Sequence, residues 1–129
     1  NFVKLMTRQN KVFDLIETNR KNGEIMFFYS DVNEIISNVI SFCIQHNISY
    51  IEFRDFDKKC EVYEKIRNHD IQLILLSDFH DLIGYEFPMV NHFISFPYLK
   101  KYVYKFICSR FYRLGREKDF HFHSFVSFS

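Results

Sequence analysis

The sequence predicts an α/β fold, a three-layer sandwich around a mainly parallel sheet of five or more strands. Three observations predict it. Short apolar runs, Ile25 to Tyr29 and Ile71 to Leu76 above all, are apolar on both alternating faces, as a strand covered on each side requires. Stretches with apolar residues at helical spacing separate them. The resulting order, βαβαβ(α)βαβ, is the pattern of parallel strands joined by crossover helices.

Residues 3 to about 20 read as a helix with Val12, Leu15 and Ile16 on one stripe, and Asn22-Gly23 ends it. Ile25 to Tyr29 is the first strand. Asp31 and Glu34 form a capping-box pattern ahead of Val32, Ile35, Ile36, Val39, Ile40 and Cys43, which predicts a second helix. Ile48 to Phe53 reads as a strand, and Asp57 as the cap of a helix carrying Cys60, Tyr63 and Ile66. Ile71 to Leu76 is the third strand, Asp78 to Tyr85 a loop or short helix, and His92 to Phe96 the fourth strand. Leu99, Val103, Phe106 and Ile107 belong to a helix that stops by Gly115, and Phe120 to Phe125 is a last strand. Residues 1–129 thus form one domain, with 1–24 as its leading helix.

The 129 residues are 47% hydrophobic and carry a formal net charge of +1, which excludes a disordered tail. The longest unbroken apolar run, Ile25 to Tyr29, is too short for a membrane span. The 17 Phe, with no Trp and no Ala, are expected to fill the core that smaller side chains would otherwise fill. Cys43, Cys60 and Cys108 lack any C-x-x-C pairing, which leaves zinc and redox motifs unsupported and fits a reducing, intracellular setting. The chain opens at Asn1 with no targeting signal, as a piece of a longer protein would.

Ligands of open α/β sheets bind beyond the carboxyl ends of the strands. There the sequence offers Ser30-Asp31, Arg54-Asp55, Ser77-Asp78 and the basic exit of the late helix; Asp and Ser are types that turns and caps also collect. With only Gly23, Gly84 and Gly115 there is no glycine-rich phosphate loop. Between Tyr98 and Lys118 lie Lys100, Lys101, Lys105, Arg110, Arg113, Arg116 and Lys118, against Glu117 alone. Such a cluster attracts phosphate or complements a helix carboxyl end. Arg110 and Arg113, three apart, share one helical face, where two guanidiniums can grip one phosphoryl group. His121 and His123 share a strand face, too few for a closed zinc site.

From about Lys11 to Phe128 the chain resembles the second RecA-like domain of a DEAD-box RNA helicase, in a divergent form. Ile25 to Ser30 is similar to the family's opening strand and its hydroxyl residue. Tyr63, Ile66-Arg67-Asn68 and Leu73 to Asp78 resemble its aromatic helix, its F-R-N turn and the strand ending in Thr-Asp. Gly84 to Pro88 resembles R-G-x-D-x-P, with Glu86 in place of Asp. Tyr104 to Arg116 is similar to Y-x-H-R-x-G-R-x-x-R-x-G-R, keeping Arg110, Arg113, Gly115 and Arg116 but replacing His and Arg by Phe106 and Ile107. Phe56 to Lys59 stands where the family has Q-x-x-R.

The resemblance implies a domain that closes over ATP and Mg²⁺ held mainly by an N-terminal RecA-like domain, with protein regulators as further partners. Arg110 and Arg113 would be the catalytic arginine fingers and Glu86 would lie near the ribose. Ser30, Lys59, Ser77 and Asp78 would line the RNA backbone. Two other readings stay open: a non-catalytic RecA-like scaffold for protein or RNA, and a degenerate receiver-like signalling domain. The second would use Asp31 and Asp78 after strands and Phe96-Pro97 in place of a Lys-Pro signature.

Overall fold

A strand apolar on both faces avoids water only at the centre of a sheet, and the first strand, β1 (Met26–Tyr29), lies there. The computed structural model describes residues 2–54, 59–97, 99–111 and 119–125, without the side chains of 2–6 and Lys59. In chain order the elements are α1 (Phe2–Lys21), β1, α2 (Asn33–Gln45), β2 (Tyr50–Glu52), α3 (Lys59–Arg67), β3 (Leu73–Leu76), a 3₁₀ turn (Phe79–Leu82), β4 (His92–Ser95), α4 (Lys101–Phe111) and β5 (His121–Ser124). The sheet runs β2-β3-β1-β4-β5. Its four pairings are all parallel, with Met26 opposite both Leu73 and His92.

Period-two alternation divides the core. Met26, Phe28, Leu73, Leu75 and Ile94 face α1 and α2, meeting Val12, Ile16, Ile35, Ile36, Val39 and Cys43. Phe27, Ile74, Leu76 and Phe93 face α3 and α4, meeting Val62, Ile66, Val103, Ile107 and Phe111. Phenylalanine fills the interior, as expected. Phe27, Phe28, Phe53, Phe87, Phe93, Phe96 and Phe111 are among the largest fully buried side chains. The Phe27 ring meets Phe87 at 4.9 Å, Phe111 at 5.7 Å and Phe93 at 5.9 Å between centroids.

Three expectations change. Asp31 does not cap α2. The Ser30 hydroxyl accepts the Val32 amide at 3.1 Å, and the cap residue is Val32, extended and without a side-chain bond. The Asp31 carboxylate is left at the surface, because a hydroxyl one residue earlier already closes the turn. The receiver-like reading also fails. That fold places its strands 2-1-3-4-5, whereas here β3 lies between β2 and β1. Finally, Cys60, read from the sequence with Tyr63 and Ile66 on one helix, is exposed rather than part of the apolar face, whereas Cys43 is buried, which pushes its thiol up to about 11. The cap proposed at Asp57 and the stop at Gly115 lie outside the described residues.

Truncating Phe27 removes the ring that joins four other aromatics. Phe27→Ala is expected to destabilise the fold by about 3–5 kcal/mol, read as a lower midpoint in urea unfolding. A midpoint within experimental error of the parent would contradict this packing.

Candidate functional site

The chain leaves β1 toward the α1/α2 face and leaves β3 toward the α3/α4 face. Adjacent strands whose connections diverge open a crevice beyond their carboxyl ends. A cavity of about 210 Å³ occupies it, lined by Tyr29, Asp31, Ser77, Asp78, Phe79, Lys100, Tyr102 and Val103. Each wall has a local cause. Asp78 accepts the His80 amide at 3.0 Å and so caps the 3₁₀ turn, while its Oδ1 lies 2.7 Å from His80 Nδ1. That turn presents Phe79, whose ring meets Tyr102 at 5.9 Å, nearly edge-on, and Phe106 at 5.4 Å. Burial, then the Asp31 and Asp78 carboxylates, push the Tyr29 phenol up to about 12, so it stays a neutral donor.

The residues expected to carry function fall into two groups. Ser77 and Asp78 line the cavity, and Ser30, between the lining residues Tyr29 and Asp31, is buried, its hydroxyl closing the turn and its amide donating to the Leu76 carbonyl at 3.1 Å. Lys59 begins α3, with its side chain outside the described residues. Glu86 and Arg110 are the others, each preceding in sequence a core ring of the α3/α4 face, Phe87 and Phe111, and those rings stack at 5.5 Å. The Tyr63 hydroxyl donates to the Glu86 carbonyl at 2.6 Å. Arg110 is half-buried with its guanidinium 5.2 Å from the Phe106 ring centroid, a cation–π contact. Among the described residues no carboxylate forms an ion pair with Arg110. Arg113 lies outside the described residues.

Sequence reasoning missed Lys100, Asp31 and Tyr102 as neighbours, since only strand order brings them together. It also missed His92 as the hub of a network at the opposite edge of the sheet. His92 Nε2 lies 2.9 Å from the Glu24 carboxylate and its Nδ1 lies 3.0 Å from His123 Nε2. His121 stacks on His92 at 5.3 Å. The paired register of β4 and β5 builds this cluster, and His121-x-His123 was its only trace in the sequence. Both ring nitrogens of His92 are engaged, and among the described residues no group of three or more His, Cys, Asp or Glu is arranged to hold a metal ion.

No protein-family model matches the chain, and no curated protein matches it. Solved structures do. The C-terminal part of the Fun30 ATPase domain aligns with TM-score 0.77 at 14% identity, over 91% of this chain and 39% of that one. The Pyrococcus furiosus Hef helicase domain gives TM-score 0.68 at 12% identity, over 93% of this chain and 25% of that one. The Sulfolobus solfataricus SWI2/SNF2 ATPase core in complex with dsDNA gives 0.68 at 15%, over 93% of this chain and 26% of that one. The chain therefore spans between a quarter and two-fifths of these structures. What is shared at such identity is the fold, the RecA-like α/β fold found in helicase and SNF2-type ATPase domains. No helix among the described residues is long and apolar enough to cross a membrane.

Burial lowers the pKa of both His92 and His123 below the usual 6.5, so the folded state prefers them neutral. The unfolded chain then binds more protons as the medium acidifies. Stability is expected to be complete above about pH 6.5 and to fall as pH drops through the lowered native values. The melting temperature between pH 7.5 and 5 checks this, and His123→Gln should flatten the dependence. An acid-insensitive parent would contradict it.

Proposed function

We propose that this chain is the C-terminal RecA-like domain of an ATP-dependent RNA helicase of DEAD-box type. It would work with an N-terminal RecA-like domain that supplies the phosphate loop and the acids for Mg²⁺. The observation that carries this reading is the separation of two polar groups on one RecA-like scaffold. Ser77, Asp78 and Lys100 stand at the strand ends, and on α4 the Arg110 guanidinium has no carboxylate partner among the described residues. An arginine kept only for stability would be expected to find a counter-ion when half-buried. Arg110 instead holds its guanidinium over the Phe106 ring, a placement that suits a developing phosphoryl anion.

The chain's own residues would act as follows. Arg110 and Arg113 stabilise the charge that builds on the γ-phosphoryl oxygens as water displaces ADP. Glu86, its backbone fixed by Tyr63, accepts a ribose hydroxyl. Lys59, Ser77 and Asp78 line the RNA path, and Ser30 holds the turn that shapes it. ATP is held mainly by the other domain, since this chain has no glycine-rich loop. Alone, the chain binds ATP weakly and does not hydrolyse it. Protein regulators that fix the angle between the two domains would set the rate.

A second reading is favoured by one observation. Leu82 and Ile107, near the positions of polar contact residues in the family, are fully buried, and Phe106 packs on the same core. Contact chemistry has there become core, as a non-catalytic scaffold for RNA or protein would allow. A phosphate loop and an Asp-Glu-Ala-Asp segment upstream in the same protein would decide for the enzyme.

In the complete protein Arg113→Ala is expected to abolish RNA-stimulated ATP hydrolysis while leaving the circular dichroism spectrum unchanged. Parent-level turnover in that variant refutes the finger assignment. RNA binding is expected to weaken steeply with added salt, and a flat response refutes a phosphate-gripping surface.

A further inference from the structure

We infer that the cavity at the strand ends receives one unstacked nucleobase bearing an exocyclic amino group, while the phosphates on either side stay outside it. The inference rests on the nucleic-acid reading above and specifies its ligand. Three features of the cavity point the same way.

Size comes first. About 210 Å³ is below the range of pockets that enclose drug-sized ligands. It suits a fragment the size of one heteroaromatic ring system and excludes a nucleoside triphosphate.

Charge comes second. Among the described residues the lining holds two carboxylates, Asp31 and Asp78, the second engaged by His80, and one ammonium, Lys100. A phosphate placed inside would meet these two carboxylates, so the backbone belongs outside, along the exposed Lys100, Lys101 and Lys105, of which Lys100 also lines the cavity. Inside, the Asp31 carboxylate is an acceptor for an amino group, and the Tyr29 hydroxyl is a donor for a ring nitrogen or carbonyl. Adenine and cytosine offer an amino group beside an acceptor on one edge; uracil offers no amino group at all.

Shape comes third. Tyr102 is 59% exposed although it is a large aromatic side chain, and it stands beside Phe79, which itself stacks on His80 at 4.1 Å. An exposed ring in the lining of a pocket, backed by the half-buried Phe79 and next to lysines, provides a flat surface on which single-stranded bases stack. A phosphate-only path would have no use for it. The wall residues come from β1, β3 and α4 with their surrounding turns, so the pocket is a product of the strand order rather than of one loop.

The test uses the 129-residue chain and fluorescein-labelled ten-nucleotide RNAs: oligo(A), oligo(C), oligo(U) and an abasic oligomer of equal length and charge. Fluorescence anisotropy is expected to show oligo(A) and oligo(C) bound about tenfold more tightly than the abasic strand, with oligo(U) between them. Tyr102→Ala should lower oligo(A) affinity about tenfold without changing the salt slope, whereas Lys100→Ala should reduce that slope by about one. Asp31→Asn should remove the preference for oligo(A) over oligo(U), because an amide presents a donor as well as an acceptor. Circular dichroism confirms that each variant folds. Equal affinity for intact and abasic strands, or no effect of Tyr102→Ala, overturns the pocket while leaving a phosphate-binding surface standing. Failure of every oligomer to bind at low salt overturns both.

Discussion

The structure depends on the double-sided burial of β1. Every side chain of Met26–Tyr29 is buried, so helices must cover both faces of the sheet and a strand must flank β1 on each side. Once β3 and β4 take those places, the connections from β1 and β3 leave toward opposite faces. The crevice between them follows from that divergence. Tyr29, the last residue of β1, is at once part of that buried pattern and part of the cavity wall.

The polar chemistry is laid over this frame in three separate places. Carboxylates, a phenol and a lysine gather at the carboxyl ends of the strands. Arg110 and Glu86 lie on the α3/α4 side, each beside one of the stacked rings Phe111 and Phe87 in the chain. Three imidazoles and Glu24 lie at the amino ends, where they tie β4 and β5 to the turn after α1. The third engages its members with one another, which suits a structural role at an exposed edge strand.

Much of the fold was legible in the sequence because burial and periodicity are local signals. The unbroken run Ile25 to Tyr29 and the helical recurrence of Ile35, Ile36, Val39 and Cys43 each predict an element without help from the rest of the chain. The cap of α2 was misread because Ser30 and Asp31 are both competent acceptors, and only backbone geometry selects the hydroxyl. The candidate site was legible only in part. Ser77-Asp78 could be placed at a strand end from the sequence, but Lys100 and Tyr102 join them across a sheet whose strand order no local pattern encodes. His92 was invisible for the same reason: its partners are 31 and 68 residues away.

The central claim is that the carboxyl edge of the sheet is the surface that meets nucleic acid. Amide chemical-shift mapping on the ¹⁵N-labelled chain, titrated with a single-stranded RNA, tests it most directly. The account predicts shifts concentrated at Tyr29 to Asp31, Ser77 to Phe79 and Lys100 to Val103. Shifts confined to the opposite edge, around Glu24, His92 and His121, would contradict it.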